Sequence, residues 1–502
     1  MNGISPIIQA FSEREYLEFE AFLTHKNRRG DVKNTALVRL LRAGKTDTAF
    51  LCEQLYAKPN KQALYSLRNR VFEVLIDFIA SSKMQGENSI DISLAKYILA
   101  ARDFLYQKNY KLAYKLLIKT EKIALAHDLY TLLTEVYHTL IQYAHHFEQV
   151  DLKVLIERFR KNQQLQNTAE EFNIIYAKIR NALQEQQQQG TSVSFSELVS
   201  RISSEHAVSI NDILSYKSLY QMITLTNLSA YLSKDYLKIE SFIIAQHQVL
   251  KAKKDQEKQL FYHIRVLFLI ANTLFRNKKF ESSLSYLQQM KQAMVSQQKK
   301  YYTTFLPEYT LLLALNTNYL GNQQEAIRIL EGRRATKNIQ VKIQLESDLT
   351  LIMCYFQNQN YTAAYKAYTK LQHSDLWYEQ QAGIEITIKK NLIALLLHKE
   401  LNHFDLFESR LLSFRRKYRT FLLSHGEERV LRYLEIVERF HNDPQWIRSE
   451  DCFQMVESSF DFIGALQEDI FAMSFYAWLK SKMHSKDLFA TTLELIKTAR
   501  MD

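Results

Sequence analysis

Residues 264–290, IRVLFLIANTLFRNKKFESSLSYLQQM, decide the fold of this chain. Apolar residues recur three or four positions apart on both sides of the short polar turn RNKK, and this spacing predicts two amphipathic helices. Ala271 lies midway along the first helix, and Ser283 follows it twelve residues later in the second. Because small side chains at these two places allow close approach, the stretch predicts a tightly packed helical hairpin.

The hairpin is one copy of an internal repeat. Small residues recur twelve positions apart at Ala101 and Ala113 and at Ala314 and Ala326. The further copies read ILAARDFLYQKNYKLAYKLLI at 98–118, LLLALNTNYLGNQQEAIRIL at 311–330 and LTLIMCYFQNQNYTAAYKAYTKL at 349–371, where Ile352 replaces the first small residue and Ala364 holds the second. Weaker copies are centred on Ile239 and Phe407, and two degenerate ones are expected near Leu155 and residue 197. The period is about 42 residues, which predicts a stacked array of hairpins.

These hairpins resemble tetratricopeptide repeats (TPR) of bacterial type. In that family a small residue in each helix lets the pair pack closely, and a large apolar residue follows the second small one, as Leu117, Leu287 and Leu330 do here. The resemblance covers about residues 91–425. It implies an all-α fold, an α-α superhelix (a TPR-like solenoid) with helical caps at both ends. The period exceeds the 34 residues usual in the family, so each helix is expected to be about one turn longer.

Composition supports helices and excludes several other classes. The 502 residues include only 10 Gly and 4 Pro, too few for the turns of a β-sandwich, a barrel or a doubly wound sheet. An apolar content of 47% excludes global disorder. The three cysteines form no CxxC pair, no signal-peptide pattern opens the chain, and no uncharged apolar run reaches about 18 residues. We therefore expect a cytoplasmic protein without a membrane span.

Polar stretches between the helical segments predict four regions. The stretch ALQEQQQQGTSVS at 182–194 is expected to be a frayed helix end and a flexible loop that separates two parts of the array. A second polar stretch at 441–451 is expected to introduce terminal helices at 451–463 and 466–484. The predicted regions are an N-terminal helical cap at 1–88, a first part of the solenoid at 89–190, a second part at 191–440 and a C-terminal helical cap at 441–502.

The N-terminal region has two interpretations. Helices are predicted at 12–25, 33–43, 46–56 and 60–83, and the last three have the spacing of a trihelical DNA-binding unit. In that case the last helix would read the major groove, with Lys61, Arg68 and Arg70 as contacts. The other interpretation is a plain cap for the array, which we favour because no wing hairpin follows. The net charge of +11 does not single out nucleic acid, because the basic residues are spread over many helices.

Motifs for catalysis, nucleotides or metals are missing from the sequence. The glycines stand singly, so neither GxGxxG nor GxxxxGK[ST] occurs, and HExxH is absent as well. The two ExxH pairs, Glu135–His138 and Glu438–His441, lie about 300 residues apart, whereas di-iron bundles place two such pairs in one core. We therefore predict no catalytic residues, no metal site, no cofactor and no enzyme activity.

A binding surface is the remaining functional signal. The resemblance implies a groove lined by the first helix of each hairpin, but only Asn272 fits the charged clamp that some family members use for a terminal carboxylate. The predicted groove is instead mainly apolar and would suit a partner helix or an apolar peptide. Its candidate residues are Tyr231, Phe268, Asn272, Phe275, Met353 and Phe356. Two interpretations stay open for the aromatic ones, groove lining and core between units.

The predicted function is therefore a scaffold or adaptor for protein interactions, with a protein or peptide partner whose identity the sequence does not give. The alternative is a nucleic-acid-associated regulator, in which the N-terminal helices bind DNA and the repeats sense a partner. The two differ in their dependence on salt, because binding to DNA phosphates weakens steeply as salt rises.

Overall fold

Every regular secondary-structure element that the computed structural model describes is a helix. The described residues are 4–11, 13–26, 32–82, 89–189, 195–206, 216–233, 237–252, 259–333, 340–459 and 470–501. None of the helices among them is long and apolar enough to cross a membrane. The chain divides into two compact units, residues 1–159 and residues 160–502. The four predicted regions, with boundaries at 88, 190 and 440, stay predictions.

The first unit opens with five helices around their own apolar core. They are α1 (Ile4–Ala10), α2 (Glu13–Lys26), α3 (Val32–Arg42), α4 (Thr48–Tyr56) and α5 (Lys61–Ser82). The last four lie within two residues of the predicted ones, apart from residues 12 and 83, which are outside the described residues. Asp47 caps α4 as its side chain accepts a hydrogen bond from the Phe50 amide (2.8 Å). Such a cap satisfies an amide that the helix itself leaves unpaired.

The helical hairpins follow in sequence order. In the first unit they comprise α6 (Ser89–Tyr106), α7 (Tyr110–Ala126), α8 (Tyr130–Gln142) and the start of α9 (Leu152–Gln189). The second unit continues with α10 (Phe195–Glu205), α11 (Tyr216–Ser233), α12 (Leu237–Ala252), α13 (Leu260–Arg276), α14 (Phe280–Val295), α15 (Tyr302–Tyr319), α16 (Gln323–Glu331), α17 (Val341–Gln357), α18 (Tyr361–Tyr368), α19 (Asp375–Ala382), α20 (Ile384–Glu400), α21 (Phe404–Ser424) and α22 (Glu428–Asn442). It ends with α23 (Glu450–Ser459), α24 (Ile470–His484) and α25 (Leu488–Met501).

The small residues of the repeat lie where the two helices of each hairpin meet. Ala271 and Ser283 are completely buried, and the Ser283 hydroxyl donates a hydrogen bond to the Ala271 carbonyl (2.8 Å). Ala314, Ala326 and Ala364 are likewise buried. The bond between Ser283 and Ala271 shows that the spacing of twelve residues records a contact between paired helices, although the buried Ile352 takes the place of the first small residue in the α17–α18 hairpin.

The turns inside the hairpins share one backbone geometry. The residue two positions before each second helix has a left-handed conformation, and the amide that follows it bonds back to a carbonyl five residues earlier, as in a Schellman cap. These left-handed residues are Lys108 (φ 62°), Lys278 (φ 59°), Gly321 (φ 96°), Gln359 (φ 56°) and Asn402 (φ 55°). Only Gly321 adopts this conformation without a steric cost. The shared geometry ends each first helix at an equivalent residue.

A helix end lies within the predicted interruption at 182–194. The helix α9 runs through residues 182–189 and ends at Gln189, and residues 190–194, where the loop is predicted, lie outside the described ones. The helix extends this far because Gln is a good helix former. In addition, Ile179 and Leu183 are buried against Leu198 of α10, so the helix gains packing as far as Leu183.

Candidate functional site

The middle of the helix α24 is buried on all sides. Seven consecutive residues, Met473–Leu479, are buried, whereas a helix lying on a surface would expose a stripe of every third or fourth residue. Ile470 and Met473 belong to a cluster with residues of α13–α15, and Phe475, Trp478 and Leu479 to a cluster with residues of α17–α22. One helix therefore contacts a series of hairpins that lie far from it in the sequence.

The first helices of two neighbouring hairpins, α15 and α17, hold α24 through their last residues. The Tyr319 hydroxyl, at the end of α15, lies 3.4 Å from the Ser474 hydroxyl of α24. The Gln357 side-chain amide, at the end of α17, donates to the same Ser474 oxygen (3.2 Å). Asn318 in turn donates to the Gln357 carbonyl oxygen (3.1 Å), which fixes the amide orientation. All four side chains are buried, so each needs these partners.

The first helix of a third hairpin, α20, holds α24 by a charge. Glu400, the last residue of α20, accepts a hydrogen bond from the Trp478 indole N–H (2.6 Å). Its carboxylate also contacts the Lys482 ammonium, with one oxygen at 2.8 Å and the other at 2.9 Å. The Glu400 side chain is only 10% exposed and Trp478 is fully buried. Hydrogen bonds to a buried charge are about twice as strong as neutral ones, so this contact anchors the C-terminal part of α24.

Further charges link the first helices to one another. The Nη1 atom of Arg265 of α13 donates to both carboxylate oxygens of Glu308 of α15 (2.6 and 2.8 Å). Burial raises the pKa of the Glu346 carboxyl of α17, although the cations of Lys342 and Lys389 act in the opposite direction. Lys389 of α20 also lies over the Phe471 ring of α24, with its ammonium 4.7 Å from the ring centre. Lys389 thus brings a positive charge to the beginning of α24.

The groove residues predicted from sequence are mostly core residues. Phe275, Met353 and Phe356 are buried, while Phe268 and Asn272 are partly buried. The Phe275 ring packs against Phe280 and Tyr319, and the Phe356 ring packs against Tyr361. Tyr231 lies in α11, and its side chain is outside the described part of the chain. The structure brings Phe268 and Phe275 into one cluster and Met353 and Phe356 into another, and both clusters include residues of α24.

The basic residues predicted to contact DNA lie on α5. Lys61 and Arg70 are exposed, and Arg68 is partly buried with its guanidinium donating to the Thr46 carbonyl oxygen (3.4 Å). Arg68 therefore has a contact within the fold. Among the described residues no group of three or more His, Cys, Asp or Glu side chains is placed to hold a metal ion.

Sequence reasoning missed the residues that hold α24, and one signal could have found them. Residues 470–479 read IFAMSFYAWL, an uncharged run that is apolar all round the helix rather than on one stripe. Such a helix is usually buried on every side. The last residues of the first helices carry no such signal, because Tyr319, Gln357 and Glu400 share a position but no chemical type.

Opening this site would be costly. Full burial of a large apolar side chain contributes about 1.5–3 kcal/mol, and Trp478, Phe475 and Leu479 are all buried in α24. A partner that displaced α24 would have to replace these contacts together with those of Glu400. The face of α15, α17 and α20 is therefore occupied by the chain itself.

Comparison with known proteins gives no family for the chain. No protein-family model matches the sequence, and no curated protein or solved structure matches it. The resemblance to tetratricopeptide repeats rests on the residues quoted above.

Proposed function

We propose that this protein is a TPR-like solenoid that acts as a scaffold or adaptor, binding a partner helix at the ends of its first helices. The observation that carries the proposal is the way in which α24 is held. The final residues of α15, α17 and α20 all bind one helix, with Tyr319, Gln357 and Glu400 in the same position of three hairpins. A chain that uses this position for its own helix has a general means of binding helices.

The hairpin geometry supports the repeat architecture behind this proposal. The five left-handed turns and the buried small residues give the hairpins a common shape, so their first helices end alike. Stacked units of this kind present a row of equivalent positions along one face. The buried, unpaired cysteines Cys52, Cys354 and Cys452 fit a reducing compartment, and we propose a cytoplasmic location.

The proposal is tested by capture of partners with the full chain as bait, from a lysate of the organism that makes it. We expect one or a few proteins that stay bound through a high-salt wash, because apolar contacts are little affected by screening. The shortest binding fragment should be helical, and a proline in its middle should abolish binding. Retention of nucleic acid alone, lost as salt rises, would instead favour the DNA-binding regulator. A shortest fragment that binds equally well with the proline would contradict helix recognition.

A further inference from the structure

The outer face of α21 is exposed and carries both apolar and charged side chains. The opposite face is buried through residues three or four apart, namely Phe407, Leu411, Phe414, Tyr418 and Leu422. On the outer face Leu412 is 67% exposed and Leu423 is 45% exposed. At about 100° per residue, six side chains of α21 lie within about 40° of the direction of Leu412. They are Asp405, Glu408, Leu412, Arg416, Arg419 and Leu423, which we call the outer stripe of α21.

The charges of the outer stripe are unpaired, unlike other charges of the same helix. Arg415 donates to Glu438 of α22 (2.7 Å), and the Lys417 ammonium lies 2.7 Å from Glu379 of α19. The four charged residues of the outer stripe are exposed, and none of them has a salt bridge or a side-chain hydrogen bond with another described residue. They cannot pair with each other, because its acids and its bases are at least about 12 Å apart along the helix axis. Their charges are therefore free for a partner.

The sequence of the outer stripe is complementary to itself. Glu408 and Arg416 lie four residues on either side of Leu412, and Asp405 and Arg419 lie seven residues on either side of it. When two copies of α21 pack antiparallel with their Leu412 side chains facing each other, residues at equal distances from Leu412 come level. Each Glu408 is then level with Arg416 of the second copy, and each Asp405 is level with Arg419 of the second copy. Every charge of the stripe thus meets an opposite charge.

We propose that α21 is a dimerisation helix, through which two copies of this chain pair antiparallel about a two-fold axis at Leu412. Both copies use the same surface, as the symmetry of such a dimer requires. The two Leu412 side chains form its centre. Leu423 of each copy comes within about 4.5 Å, measured along the helix axis, of the level of Phe404 of the second copy, which is 55% exposed. One pair of helices buries less surface than most stable dimers, so we expect a monomer–dimer equilibrium that depends on concentration.

The symmetry of the charges selects a second copy as the occupant. A different partner would need four opposite charges, but it would not require the outer stripe to mirror its own charges about one residue. A parallel pair of copies would place each charged side chain against itself, and like charges in contact weaken association. Nucleic acid is disfavoured because Asp405 and Glu408 repel phosphates. Two antiparallel copies are the arrangement in which all charges of the stripe are matched.

The test measures the mass of the intact chain by sedimentation equilibrium over a range of concentrations. The wild-type chain should form a dimer that high salt weakens. The double variant Arg416→Glu, Arg419→Glu and the double variant Asp405→Lys, Glu408→Lys should each dimerise more than about tenfold more weakly, because like charges then face each other. An equimolar mixture of the two variants should form a dimer about as tight as that of the wild type, because every charge again meets its opposite. Association in the mixture also shows that both variants fold.

Matched variants away from α21 provide the controls. The double variant Lys115→Glu, Lys291→Glu changes the net charge by the same amount at exposed residues of α7 and α14 and should dimerise like the wild type. Leu412→Asp should abolish the dimer, whereas Leu376→Asp on α19, at a leucine that is 60% exposed, should leave it unchanged. A wild-type chain that stays monomeric, a dimer that survives the reversal of both arginines, or a mixture of the reversed variants that fails to associate would each overturn the proposal.

Discussion

Replacement of Glu400 by Ala tests the anchoring of α24. The variant removes the acceptor for the Trp478 indole N–H and the counter-charge of Lys482, both of which contact the carboxylate within 3 Å. Trp478 is fully buried, so its N–H would lose its partner without gaining water. The Lys482 side chain is 31% exposed, and its ammonium can be rehydrated in part.

The expected loss of stability follows from the hydrogen bond of Trp478 and the ion pair of Lys482. A buried donor left without an acceptor costs about 1–3 kcal/mol, and the partly screened ion pair adds about 0.5–1 kcal/mol. We therefore expect Glu400→Ala to lower the free energy of unfolding of the second unit by about 3 kcal/mol. Glu400→Gln keeps an oxygen for Trp478 and should cost about 1 kcal/mol, mainly from the unpaired Lys482.

Native-state hydrogen exchange is the most direct assay. In Glu400→Ala, amide protection over α24 should fall about 100-fold, because each factor of ten corresponds to about 1.4 kcal/mol. Protection over α5, in the first unit, should stay the same and serves as the internal control. A loss of protection below about threefold in α24, or an equal loss in both helices, would refute the idea that Glu400 anchors α24 specifically.

Three further predictions test the repeat and its buried groups. Gln359 and Gly321 both have a left-handed backbone, which costs energy in every residue type but glycine. In urea unfolding, Gln359→Gly should therefore stabilise the chain by about 0.5–1 kcal/mol, and Gly321→Ala should destabilise it by about 1 kcal/mol. A loss of stability in Gln359→Gly would contradict this. Ala364→Leu should cost about 1–3 kcal/mol by overpacking the hairpin, while Ala363→Leu, only half-buried, should cost much less in the same assay. Burial lowers the pKa of His398 to about 4 from an ordinary value near 6.5. The unfolded state then binds more protons between these two pH values. The contribution of His398 to the free energy of unfolding is therefore complete above pH 6.5 and falls by up to about 3 kcal/mol as the pH drops to about 4. His398→Gln should flatten this slope in urea unfolding measured across the same pH range.

Helices and their pairing could be predicted because their signals are local. Apolar residues three or four apart and small residues twelve apart predicted the hairpins at 98–118 and 264–290, and Ala271 and Ser283 do contact each other. The run of glutamines was expected to be the end of a helix, and α9 does end at Gln189, because Gln favours helix and Ile179 and Leu183 hold the helix in place.

The candidate site depends on contacts that local patterns do not encode. Tyr319 and Ser474 are separated by 155 residues, and Glu400 and Trp478 by 78. The repeat resemblance ended near residue 425, so it gave α24 no role beyond a terminal cap. The left-handed turns were equally hidden, because only Gly321 among them shows its conformation in its residue type.

The distance in sequence between α24 and the helices that it joins affects how the protein is made. The ribosome completes α15, α17 and α20 well before it reaches Ile470, so their ends emerge before the helix that buries them exists. Apolar surface that stays exposed during synthesis favours aggregation and chaperone binding. The second unit is therefore expected to complete its fold only after α24 has left the ribosome, and a nascent chain stalled before residue 470 should be the form that chaperones hold most strongly.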